Sequence, residues 1–197
     1  MPGGLLVVFE GLDQSGKQTQ AESLRDWLVS KGRTVRLLSF PTYETHIGAE
    51  IGRALHGERE YGADVMQLLY VANRFEWKPV IERELAAGTV LVCDRYLASS
   101  VAYGEAQGLN SRWLSEIQVP LPQPDLTVLL DMSPDVSLAR KRAGRDKYER
   151  DLQLLSRVRA SYIRQARDGD WTTLDATRDR AVVAADVQDA MSVRLCI

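Results

Sequence analysis

The chain has 197 residues, which at about 150 residues per domain is enough for one full domain. Hydrophobic residues make up 45% and charged residues 26%, ordinary globular values that exclude a disordered or fibrous chain. A net charge of −2 argues against a general nucleic-acid binder, two cysteines exclude a disulfide framework, and no apolar run approaches the roughly 20 residues of a membrane helix.

Taken in chain order, the first residues, Met-Pro-Gly-Gly, carry no basic start, so no secretory signal is expected. With only Cys93 and Cys196 present, a reducing, cytoplasmic location is the expectation. Residues 5–9 (LLVVF), 34–40 (TVRLLSF), 89–94 (TVLVCD) and 126–131 (LTVLLD) read as strands, with 172–175 (TTLD) a weaker fifth. Their apolar residues run on rather than alternate, as in strands covered on both faces. Helical periodicity covers 17–31, 47–55, 65–87, 111–119, 133–142, 152–168 and 179–193, with Gly32 and Gly88 placed as helix stops. Strands alternating with helices predict an α/β fold, a sheet of about five parallel strands wound on both sides, forming a single domain over 1–197. The stretch 139–150 (ARKRAGRDKYER) is densely basic and, taken alone, reads as a solvated helix face. Residues His46 and His56 have no neighbours at metal-ligand spacing, and Cys93 reads as a buried strand residue.

Chemistry enters where the first strand runs into FEGLDQSGKQTQ. Gly11, Gly16 and Lys17 give G-x-x-x-x-G-K between a strand and a helix, the context of a phosphate-binding loop. In such a loop glycines let backbone amides turn toward phosphate oxygens, and the helix N-terminus adds partial positive charge. Lys17 would reach the β- and γ-phosphates of a nucleoside triphosphate. The next position carries Gln18 where Ser or Thr ordinarily supplies a Mg²⁺ hydroxyl. Thr19 is rotated about 100° away on the helix, so Gln18 would offer its amide oxygen directly or through water. Asp94 and Arg95 follow the third strand, where ligands of parallel sheets bind. There an Asp holds metal-bound water and an Arg clamps phosphate.

With these features together, the sequence resembles the thymidylate kinase family, which phosphorylates dTMP. The segments that carry the resemblance are FEGLDQSGKQTQ, FPTYETHIG, LLYVANRFEW, DRYLASSVAYGEAQG, PQPDLTVLLD, KRAGRDKYE and TLDAT, in family order over nearly the whole chain. The most family-specific parts are the second half of LLYVANRFEW and the DRY-x-x-S-x-x-A-Y run. The resemblance implies a P-loop NTPase-type doubly wound fold with a short basic lid at 139–150. It implies ATP with Mg²⁺, dTMP as the acceptor, no nucleic-acid polymer or membrane as partner, and a homodimer.

Residue by residue, the resemblance places ATP against Gly11, Leu12, Asp13, Gln14, Ser15, Gly16, Lys17, Gln18 and Thr19. Arg140 lies over the adenine, beside Ala176 and Thr177. Asp13 reaches the acceptor 3′-hydroxyl, Phe40 forms part of the pocket, Tyr70 stacks on the base and Arg74 bonds its edge. Arg95 clamps the acceptor phosphate, while Ser99, Ser100, Tyr103 and Gln107 line sugar and base. Asp94, Gln18 and Glu149 stand on the metal side, mostly through water. Catalysis would rest on Asp13, Lys17 and Arg95, with a lid cation from Arg142, Arg145 or Lys147, because Gln14 stands where some members carry an arginine. A second departure follows Pro41, where Thr42 and Tyr43 replace the usual arginine. These departures keep two alternatives open: a P-loop kinase for another nucleotide or nucleoside, such as dUMP, and a nucleotide-binding paralogue without transfer.

Overall fold

The structure, a computed structural model, describes residues 3–140 and 151–195. Across them the chain runs β1 (Leu5–Glu10), α1 (Lys17–Ser30), β2 (Val35–Ser39), α2 (His46–Leu55), α3 (Ala63–Ala86), β3 (Val90–Asp94) and α4 (Leu97–Ala106). It continues with α5 (Ser111–Glu116), β4 (Leu126–Asp131), α6 (Pro134–Arg140), α7 (Leu152–Asp168), β5 (Thr172–Asp175) and α8 (Arg180–Leu195). The sheet order is β2-β3-β1-β4-β5, and every pairing is parallel, as the sequence predicts.

The continuous apolar strands are explained by cover on both faces. Val7 and Phe9 of β1, Val90 and Val92 of β3, and Val128 and Leu130 of β4 pack with Ala21, Leu24 and Leu28 of α1 and Val183, Val187 and Met191 of α8. Their neighbours point the other way: Leu6, Val8, Leu91 and Cys93 meet Ile81 of α3 and Tyr96. Leu129 joins Ala98, Ala102 and Ala106 of α4 and Leu154, Leu155, Val158 and Tyr162 of α7. Cys93 is fully buried, and burial pushes its thiol pKa up, so it stays a neutral core residue. Among the described residues, no helix is long and apolar enough to cross a membrane.

Strand β1 sits between β3 and β4; the connection after β1 runs to β2 on one side and that after β3 crosses to β4 on the other, which opens a crevice at the carboxyl ends of β1 and β3. Residues 11–16 fill that crevice. At Gly11, with φ +140°, an added Cβ would stand 2.5 Å from the Leu130 carbonyl oxygen, so only glycine fits against β4.

Helix α4 is absent from the helices read by periodicity. Its sequence, LASSVAYGEA, is buried on nearly every side, so it shows no amphipathic period, and its cap is remote: Glu10 Oε1, from β1, accepts the Tyr96 and Ser99 backbone amides at 2.9 and 3.3 Å. Helix α6 is described to Arg140; Arg142, Arg145, Lys147 and Glu149 of the expected lid lie outside the described residues, as does Cys196.

Candidate active site

At the carboxyl ends of β1, β2 and β3 lies a cavity of about 530 Å³. Of the residues singled out in the sequence, Asp13, Gln14, Gly16, Lys17, Gln18, Thr19, Phe40, Tyr70, Arg74, Asp94, Arg95, Ser99, Ser100 and Tyr103 all line it. The phosphate-binding loop and the proposed acceptor residues therefore share one chamber.

On the loop side, Lys17 is buried and its Nζ donates to the Leu12 carbonyl at 2.9 Å. Burial pulls the lysine pKa down, helped by the Arg95 charge, against the opposing pull of Asp94, Asp13 and Glu10. The ammonium is thus poorly compensated and suited to an anion. Asp94 ends β3 with Oδ1 buried and without a hydrogen-bond partner among the described residues. Gln18 lines the cavity, but its amide nitrogen turns along α1 and donates to Glu22 at 3.0 Å.

The wall between the two halves is built on Arg95. Its Nη1 donates to the Gly11 carbonyl (3.1 Å), Ser99 Oγ (3.3 Å) and Tyr162 Oη (3.2 Å). Nη2 donates to Asp13 Oδ1 at 2.5 Å, and the guanidinium lies 5.4 Å from the Tyr103 ring centroid. Burial works to raise the Asp13 pKa, but Arg95 and Lys17 together outweigh it and bring it down to about 2. Behind Arg95, the fully buried Glu10 accepts from Ser99 Oγ at 2.7 Å and Tyr162 Oη at 3.1 Å. Burial first, and Glu10 second, push the Tyr162 pKa well up, so its hydroxyl remains a neutral donor.

Because the Asp13 pKa falls on folding, its stabilisation is complete above the unfolded value near 3.8 and is lost as pH falls toward 2. The thermal midpoints of wild type and Asp13→Asn should accordingly differ by a constant amount from pH 5 to 8 and converge below about pH 3. Convergence already near pH 5 would show that the Arg95 pairing does not hold in solution.

The acceptor half lies between α3 and α4. Arg74 Nη1 donates to Ser100 Oγ at 2.7 Å and Gln118 Oε1 at 3.1 Å. Burial lowers its pKa to about 10, which leaves it charged at neutral pH. Phe40 is buried with its ring 5.5 Å from that of Tyr96. The turn after Pro41 is fastened by Asn73, whose Oδ1 accepts the Thr42 amide at 2.9 Å and whose Nδ2 donates to the Thr42 carbonyl at 3.1 Å. Helix α2 presses onto the same carbonyl: a Cβ at Gly48 would stand 1.7 Å from it. Tyr43, beyond this turn, also lines the cavity.

Beside the chamber, Arg140 donates to the Gln14 carbonyl at 3.1 Å and the Ala176 carbonyl at 2.9 Å, tying the loop to the turn after β5. Thr177 closes that turn, its amide donating to Asp175 Oδ1 at 2.8 Å. Gln107 caps α4 and donates to the Tyr103 carbonyl at 2.8 Å; like Gly11, Leu12 and Ser15 of the loop, it is not among the residues that line the cavity.

Sequence reasoning missed Glu10, Gln67, Asn73 and Tyr162. A charged residue ending an apolar strand beside the loop was the available signal for Glu10. Gln67 and Asn73 share α3 with Tyr70 and Arg74, and Tyr162 is indistinguishable from core on the apolar face of α7.

A phosphate-binding loop, a buried lysine and a second anion- and ring-binding wall in one α/β chamber define an ATP-dependent phosphotransferase of the nucleotide kinase class. The comparisons agree: the family model described as thymidylate kinase matches residues 9–187, and the chain belongs to that family. It is 34% identical over 190 residues to thymidylate kinase of Arabidopsis thaliana, covering 96% of this chain and 72% of the relative. To thymidylate kinase of Danio rerio it is 34% identical, over 94% of this chain and 89% of the relative. The solved structure of thymidylate kinase from Candida albicans superposes with a TM-score of 0.83 at 28% identity, covering 98% of this chain and 92% of that one.

Proposed function

We propose that this protein transfers the γ-phosphoryl group of ATP to a phosphate oxygen of dTMP, giving ADP and dTDP. The observation that carries the reading is the shared chamber, which sets Lys17 of the loop against a wall of Phe40, Tyr70, Arg74 and Arg95. A base slots between aromatic rings and Arg74, stacking being worth roughly 1–3 kcal/mol by analogy with other base–aromatic contacts. The acceptor phosphate lies against Arg95, and the triphosphate follows the loop and the start of α1, with the adenine near Arg140 and Ala176. Little covalent chemistry is left to the protein; alignment and charge neutralisation lower the barrier.

Mg²⁺ accompanies ATP in this reading and neutralises phosphate charge. Asp94 Oδ1, buried and without a hydrogen-bond partner among the described residues, fits a magnesium-bound water, and Gln18 holds the sequence position of the usual hydroxyl, its Nε2 engaged by Glu22. Glu149, the third metal-side candidate, lies outside the described residues. Gln18→Thr restores the usual hydroxyl and should lower the Mg²⁺ concentration for half-maximal rate; an unchanged or higher requirement would show that glutamine already serves.

The cation that acts during transfer is assigned to the basic stretch, with Arg142 or Arg145 in that role and Lys147 the remaining candidate. Alanine there should lower kcat with little change in either KM. Arg140→Ala should instead raise KM for ATP several-fold at nearly constant kcat, because it removes the tie between Gln14 and Ala176. Equal effects at Arg140 and Arg145 would contradict that division.

The proposal includes a single kinase domain over 1–197, a cytoplasmic location and a homodimer. Light scattering that finds only the 22.1 kDa species would refute the dimer. A second reading, a kinase for another acceptor, is favoured by Thr42 and Tyr43 standing where the family carries an arginine. Initial rates of ADP release with dTMP, dUMP and thymidine separate the two.

A further inference from the structure

On the acceptor wall one side chain stands out by what it lacks. Gln67 of α3 is 1% exposed, lines the cavity, and among the described residues has neither Nε2 nor Oε1 hydrogen-bonded. An amide taken out of water with both ends unpaired is costly, and each such group in a folded protein calls for an explanation. Leucine at this position would avoid the cost, so the amide is retained against stability. Its stem is fixed: a Cβ at Gly104 of α4 would lie 3.2 Å from Gln67 Cγ, so α4 comes close only because glycine is there. Gln67 stands one turn before Tyr70 and two before Arg74, on the same face of α3.

We propose that Gln67 is a specificity-determining residue that reads the imide edge of the acceptor base, its Oε1 accepting the ring N3–H and its Nε2 donating to an adjacent carbonyl. This rests on the acceptor assignment above and names the contact that Arg74 cannot make. An arginine only donates, so it serves the carbonyl oxygens of a thymine or uracil ring and leaves the N–H between them without an acceptor. Gln67 brings both an acceptor and a donor to the same wall. Cytosine fits this pair badly, because its exocyclic amino group would face the donors of Arg74. When the base arrives, the unpaired amide gains its partners, so stability withheld from the free protein is returned as affinity for one ring edge.

The test uses the full chain and compares wild type, Gln67→Leu and Gln67→Ala with dTMP and its N3-methyl derivative. Wild type should prefer dTMP by at least about 10²-fold in kcat/KM, since a polar site rejects a ligand that cannot pair with it. Both variants should lose about 30-fold or more in kcat/KM for dTMP, with KM for ATP unchanged. In Gln67→Ala, which leaves room for the methyl group, the preference should shrink to within about tenfold. The thermal midpoint of free Gln67→Leu should equal or exceed that of wild type. Variants within about threefold of wild type on dTMP, an unchanged preference in Gln67→Ala, or a lowered midpoint for Gln67→Leu would each overturn the assignment; the last would show that the amide is bonded within the protein. A wild-type protein inactive on dTMP would instead overturn the acceptor reading itself, which separates the two failures.

Discussion

Replacing Lys17 with alanine is expected to lower kcat at least about 10²-fold while the fold persists, the loss typical of removing one preorganised charge stabiliser. The side chain is buried, yet among the described residues it donates only to Leu12 of its own loop and belongs to none of the apolar clusters that hold the sheet. Its charge is disfavoured by burial, so deletion removes a destabilising desolvation as well as the attraction to Asp13, Asp94 and Glu10. These two effects oppose each other, and the thermal midpoint should move little. Near-normal kcat in the variant would remove the loop from the donor site.

The second large effect is expected at Arg95. Its guanidinium joins Gly11, Asp13, Ser99, Tyr103 and Tyr162, so it organises the wall as well as presenting charge to the acceptor phosphate. Arg95→Ala should lower kcat/KM for dTMP by about 10²- to 10³-fold and also lower the thermal midpoint, because Asp13 and the Glu10–Tyr162 pair lose their cation. Arg95→Lys should recover little of either. A single ammonium keeps the charge but cannot fork between Asp13 on one nitrogen and Ser99 and Tyr162 on the other. Full recovery by lysine would mean that charge alone matters and that the forked geometry is incidental.

The strands and the loop were legible because their signals are local. A buried parallel strand is a continuous apolar run, and G-x-x-x-x-G-K between strand and helix has few other uses. Helix α4 was illegible as a helix because its cap comes from Glu10, on strand β1, and its residues are buried on nearly every side, which leaves no polar face to mark a helical period. Acceptor residues of α3 came from the family resemblance, and their neighbours Gln67 and Asn73 show what spacing alone would have added: both lie on the helix that carries Tyr70 and Arg74. Gln107 stands apart from the cavity for a geometric reason. It ends α4 as that helix leaves the cavity, and its amide is turned back to the Tyr103 carbonyl. The Arg95–Asp13 contact joins residues far apart in sequence, so no spacing rule could announce it.

Incubating the purified full-length chain with ATP, Mg²⁺ and dTMP, and separating the nucleotides by anion exchange, tests the central claim most directly. The account predicts dTDP and ADP in equal amounts, formed at a rate that saturates in both substrates and disappears in Lys17→Ala. ATP and dTMP recovered unchanged, or ADP released without dTDP, would contradict it.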